Sequence, residues 1–88
     1  MPIFAQGTID LDVPREKAEA FFTTPPEGIE IKGTLWEGEF KGHGIEAVYR
    51  ASEVHDSLRI HITVTKKPFI ATMKMIENKL KEFLLEEG

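Results

Sequence analysis

Three histidines, His43, His55 and His61, are the first residues to weigh, because three protein ligands plus a water form the usual catalytic zinc site. His43 and His55 fall in two separate turn segments, and His61 stands on the polar side of a strand pattern. Successive turns of an antiparallel meander lie at opposite ends of the sheet. The three are therefore expected apart, as solvated surface residues with no metal between them. Asp10 and Asp12 stand two apart with Glu16 nearby, and paired carboxylates do acid–base work when burial lifts a pKa toward neutrality. Both point to the polar face of their strand, so a solvated surface is the simpler reading. No Ser-His-Asp spacing, phosphate-binding glycine loop or dinucleotide fingerprint occurs, and Gly42-His43-Gly44 reads as a turn. Lys66, Lys67, Lys74, Lys79 and Lys81 gather in the last quarter of the chain, diluted by Glu77, Glu82, Glu86 and Glu87. An ordinary solvated helix face is favoured there over contact with an anionic partner or a membrane surface. The expectation is a protein that is not an enzyme and carries no cofactor.

Composition sets the frame for whatever positions these residues. With 88 residues, 41% hydrophobic and 30% charged, the chain has the make-up of a soluble globular domain, expected to be single over residues 1–88. A chain of this size buries only roughly 60–65% of the surface its unfolded form exposes, so little core can be given up to a cavity. Zero cysteines removes disulfides, thiolate metal sites and thiol nucleophiles together. No apolar run approaches the roughly 20 residues of a membrane span, and no signal peptide is visible before the first strand pattern. A cytoplasmic location without integral membrane association is expected. A net charge of −4 disfavours a nucleic-acid partner.

The hydrophobic periodicity divides the chain cleanly. Over residues 3–13 the odd positions Ile3, Ala5, Gly7, Ile9, Leu11 and Val13 alternate with Phe4, Gln6, Thr8, Asp10 and Asp12, which is the period of a strand with one dry face. Pro14 suits a helix start. Ala18, Phe21 and Phe22 give a short helix an apolar side, and Pro25-Pro26 ends it. Ile29 and Ile31 open a further strand, the parity shifts at Gly33-Thr34 through a turn or bulge, and Trp36 and Phe40 then read as one side against Glu37 and Glu39. After the Lys41–Gly44 turn come Ile45, Ala47, Tyr49 and Ala51, and after the turn around His55 come Leu58, Ile60, Ile62 and Val64. Phe69, Met73, Ile76, Leu80 and Phe83 step by four and three, predicting a long amphipathic helix over residues 68–86 with Pro68 in its first turn. The order β-α-β-β-β-β-α with hairpin-length connections predicts a two-layer α+β fold. Four or five antiparallel strands would carry the C-terminal helix on their apolar face.

The segment Gly7-Thr8-Ile9-Asp10-Leu11-Asp12-Val13-Pro14-Arg15-Glu16-Lys17-Ala18, followed by Phe21-Phe22 and Thr23-Thr24-Pro25, resembles the opening of the helix-grip superfamily of START and birch-pollen-allergen-like proteins. Those proteins also close with a long helix gripped by a curved antiparallel sheet. The resemblance implies an apolar ligand, such as a lipid, held between sheet and helix. The shorter chain departs from the usual size, which has more strands and a longer first helical segment. A second likeness, over Trp36-Glu37-Gly38 to Leu84, is to the small polyhydroxyalkanoic acid system proteins, and implies association with polymer granules or another apolar surface.

The inward residues leave two functions open. Ala5, Gly7, Ala47 and Ala51 are small, so the helix either approaches the sheet closely or leaves a void. In the first reading the chain is a carrier for an apolar molecule of fatty-acid size or smaller. Its walls are then Phe21, Trp36, Phe40, Tyr49, Met73 and Ile76, with the Tyr49 hydroxyl and the Trp36 N–H as orienting groups. In the second it is a fully packed structural module that dimerises through apolar surface at Val48, Leu84 and Leu85.

Overall fold

The structure, a computed structural model, describes residues 7–85. Ile3 and Ala5 of the first strand pattern, and Glu86 and Glu87 at the far end, lie outside the described residues. Strand β1 (Gly7–Pro14) buries Ile9, Leu11 and Val13 and exposes the residues between them. Pro14 ends the strand and stands at the N-cap of helix α1 (Arg15–Thr23), its fixed φ of −54° already compatible with the first turn. Ala18 is the buried residue of α1, with Phe21 and Phe22 half-buried. The remaining strands are β2 (Glu30–Gly33), β3 (Glu37–Gly42), β4 (Ile45–Val54) and β5 (Ser57–Lys66), and helix α2 spans Met73–Leu84. Every pairing is antiparallel and the five strands lie in the order β1-β5-β4-β3-β2.

Local chemistry accounts for the connections. The β3–β4 hairpin turns on His43 and Gly44, both at positive φ (54° and 81°), the backbone of a two-residue turn whose twist matches its strands. His55, at φ 58°, begins the β4–β5 turn at the opposite end of the sheet. Between β2 and β3, Gly33 adopts φ 121° and the Thr34 hydroxyl accepts from the backbone N–H groups of Trp36 and Glu37 at 3.2 Å. That turn produces the parity shift. It also corrects the expected inward position of Trp36: β3 begins only at Glu37, so strand alternation does not reach Trp36, which is 40% exposed while Leu35 is half-buried.

Helix α2 is shorter than its pattern. Its 12 residues start at Met73, where Thr72 caps it by accepting from Met75 N at 3.1 Å. Pro68 instead opens a tight turn closed by Ala71 N–H donating to Pro68 O at 3.0 Å, braced by Lys67 Nζ on Ala71 O at 2.7 Å. Phe69, in phase with Met73 in the sequence, is 99% exposed. A side-chain cap at Thr72 satisfies the free N–H groups of a first turn in a way that nothing at Pro68 could. Ile76, Leu80 and Leu84 form the buried stripe of α2.

The core is one cluster in which Leu58, Ile60, Ile62 and Val64 of β5 meet Ile9, Leu11 and Val13 of β1, Ala47 and Ala51 of β4, and the helices. Both helices pack against the β1–β5 side and against each other, with Phe21 and Phe83 ring centroids 6.3 Å apart and Lys17 Nζ donating to Leu85 O at 2.8 Å. Replacing Thr72 by Ala is expected to lower stability to urea unfolding by about 1 kcal/mol, whereas Phe69→Ser should stay within about 0.5 kcal/mol of the parent. The opposite order of effects would return the helix start to Pro68.

Candidate functional site

Because the helices sit over β1 and β5, the apolar face of β2, β3 and β4 is only partly covered. Ile29, Ile31, Leu35, Ile45 and Tyr49 are half-buried there. Two adjoining apolar cavities follow the line between this surface and α2. The smaller, of about 50 Å³, is enclosed near α1 by Ala18, Phe21, Phe22, Ile31, Leu35, Tyr49 and Leu84, among others. The larger, of about 310 Å³, is walled by Ile29, Ile45, Ile76 and Phe83, with His43 and Lys79 at its edge. Phe40 and Leu80 line both, so the two are lobes of one cleft divided where β3 meets the middle of α2.

The residues expected to wall a ligand are distributed unequally. Phe21, Phe40 and Tyr49 line the smaller lobe, and Phe40 and Ile76 the larger. Trp36 stands outside both, on the surface, with the Arg15 guanidinium carbon 5.5 Å from its ring centroid. Met73 lies over Gly7 at the start of β1, so closely that a Cβ there would fall 2.8 Å from the Met73 side chain. Helix and sheet thus touch directly at that end. Sequence reasoning missed Ile29, Ile45, Leu80 and Phe83 as walls. Leu80 and Phe83 belong to the helical stripe and Ile45 to the inward row of β4, and Ile29 shares the apolar side with Ile31, so their faces are legible; what alternation does not give is where α2 crosses them.

Polar groups in the cleft are few. The Tyr49 hydroxyl donates to the backbone carbonyl of Thr34 and is thereby tied to the β2–β3 turn. Its ring centroid is 6.3 Å from that of Phe40, and burial raises the phenol pKa above its ordinary 10.0. Lys79 is the cation nearest the larger lobe. Its ammonium lies 3.3 Å from Glu82 and 5.5 Å from the Phe83 ring centroid, in an exposed pair that contributes little on its own.

The opposite face of the sheet holds the residues first weighed for chemistry. His61 Nδ1 is 2.6 Å from Asp10 Oδ1, Arg59 Nε donates to Asp12 at 3.0 Å, and all four side chains are more than half exposed. His43 and His55 occupy turns at opposite ends of the sheet. Among the described residues, no group of three or more His, Asp or Glu is placed to hold a metal ion. A depression of about 620 Å³ on this face is an open surface around Val48, bordered by Glu37, Arg50 and His61.

Comparison with protein-family models, with curated proteins and with solved structures returned no match.

Tyr49 is the sole tyrosine, so its ionisation can be followed directly. The folded protein holds the phenol proton more firmly than the unfolded chain, so this group leaves stability unchanged below pH 10.0 and removes it as pH rises through the raised value. Tyrosinate absorbance should titrate above pH 10.0 in the folded state and return to 10.0 in urea. A folded-state midpoint at or below the ordinary value would contradict burial of this ring.

Proposed function

We propose that the protein is a small non-catalytic carrier or binding domain that takes an apolar molecule between its sheet and α2. The observation that supports this reading most is the larger lobe: about 310 Å³, at the lower end of the roughly 300–1,000 Å³ of ligand pockets, and walled almost wholly by hydrocarbon. Transfer of a ligand tail into it gains the free energy of removing hydrocarbon from water, on the tail and on the walls alike. The volume suits a fatty-acid-sized chain or a smaller molecule and not a sterol. An anionic head could rest at Lys79, whose exposed pairing with Glu82 is readily exchanged.

An apolar ligand is also what the helix-grip resemblance of the β1–α1 segment implies. A non-catalytic role is supported by the pairing of Asp10 with His61 and of Asp12 with Arg59, which leaves those groups engaged with one another in water. A ligand-free dimerising module is the second reading. Of the surface expected to serve it, Leu84 is instead buried in the core at 4% exposure, because it continues the Ile76–Leu80 stripe of α2. The reading therefore keeps the half-buried Val48 and Leu85, together with the direct contact of Met73 with Gly7 and with Met75, which is 58% exposed.

Mass spectrometry of protein denatured after purification from its native host should release an apolar molecule. Because Trp36 stands outside the cleft, a displaced fluorescent fatty-acid probe is the appropriate titration. Ile45→Trp, which fills the larger lobe from a half-buried position, is expected to weaken probe binding about tenfold or more with the fold retained. If nothing is released and probe binding is absent or unaffected by Ile45→Trp, the carrier reading fails. Sedimentation as a dimer would then favour the second.

A further inference from the structure

The turn at residues 68–71 carries two apolar side chains that the fold does not use. Phe69 is 99% exposed and Ile70 is 85% exposed, and they occupy the two corner positions of a turn closed by Ala71 N–H on Pro68 O. Corner positions ordinarily take Gly, Asn, Asp or Ser, whose backbone preferences or short side chains favour the turn. A phenylalanine and an isoleucine contribute nothing of that kind. Both project into solvent, where each loses the benefit of burial. Met75, in the first turn of α2, adds a third exposed apolar side chain at 58%.

The sequence flanking this tip is cationic although the chain as a whole is acidic. No Asp or Glu occurs from residue 57 to residue 76, and Lys66, Lys67 and Lys74 flank the turn within three residues. The Lys66 and Lys74 side chains are 71% and 74% exposed, in loose pairs with Glu46 at 3.5 Å and Glu77 at 3.8 Å. Lys67 braces the turn through Ala71 O. Apolar side chains at a protruding tip with lysines just behind them match the layered chemistry of an anionic bilayer, which is hydrocarbon beneath a negatively charged surface.

We infer that this tip docks the protein on an anionic membrane surface, with Phe69 and Ile70 inserted among the lipid headgroups and Lys66 and Lys74 against lipid phosphates. A second copy of the chain fits the tip less well, because the edge of the apolar cleft is itself lined by Lys79 and His43 and would oppose lysines with a cation. Gly44 of the β3–β4 turn lies against Pro68, so the tip adjoins the His43 end of the cleft. Docking does not require the cleft to hold a ligand, and the two ideas can fail separately.

The test is co-sedimentation of the full chain with vesicles of phosphatidylcholine alone and of phosphatidylcholine mixed with phosphatidylserine. Binding is expected to the mixed vesicles, to fall at high salt, and to drop about tenfold or more in F69S/I70S. Because both side chains are exposed, the double variant should unfold at the same urea concentration as the parent. In a second measurement, Trp at position 69 (F69W in a W36F background) should shift its emission to the blue on the mixed vesicles. Absence of binding, equal binding to both vesicle types, undiminished binding by F69S/I70S, or no blue shift would overturn the inference. So would a dimer in sedimentation velocity that F69S/I70S dissolves, since the tip would then serve a second copy. Vesicle binding without uptake of a fatty-acid probe, or the reverse, separates this result from that of the carrier reading.

Discussion

A helix of little more than three turns has to cover a sheet wider than itself, and the rest of the structure follows from that mismatch. Five strands set about 4.8 Å apart put the outermost axes about 19 Å from each other, while a helix with its side chains is about 10–12 Å across. The 12 residues of α2 reach about 18 Å, and the ten residues of β4 or β5 about 33 Å. With α1 sharing the β1–β5 side, dense packing is achieved there: Val13, Leu58 and Val64 are fully buried. The β2–β3–β4 side is left to Phe40, Ile45 and Tyr49, whose bulk narrows the gap beneath α2 without closing it.

The polar face of the same sheet explains why the apolar face can remain imperfectly packed in so small a chain. Cross-strand pairs such as Asp10 with His61 and Asp12 with Arg59 are directly opposed in the β1–β5 register, and Arg50 meets Glu37 across β3–β4. Each pair is exposed and contributes little to stability alone. Their effect is on register: a slip of one residue would carry every one of these charges onto the apolar side. The charged pairs thus reinforce the register that the alternation of buried hydrocarbon sets.

How far the sequence could be read depended on whether a residue answered to one local rule or to several. Leu58, Ile60, Ile62 and Val64 answer only to strand alternation, and they are buried as the alternation requires. Gly44, beside His43, marked its hairpin by the backbone it permits. Phe69 fell in phase with Met73 by spacing alone, but the Thr72 cap and the turn at Pro68 decide the helix start, and spacing carries no information about either. Trp36 was assigned by counting back from Phe40 through a turn that breaks the count. The place of β1 beside β5 rests on a pairing between strands about 50 residues apart, which hairpin logic does not reach. Within the cleft, Phe40 and Ile76 were legible from periodicity. The inward face of Ile29 and Ile45 was legible too, but not their place at the larger lobe, because the position of α2 over the sheet is set by the packing of whole elements.

The account turns on the cleft beneath α2 being an accessible space and not a packed seam, and methyl NMR tests this most directly. In a sample labelled at isoleucine methyls, titration with a medium-chain fatty acid should shift Ile29, Ile45 and Ile76, which border the larger lobe, and leave Ile9, only 2% exposed beneath the helices, unmoved. Absence of any shift at Ile29, Ile45 and Ile76, or shifts of equal size at Ile9, would contradict it.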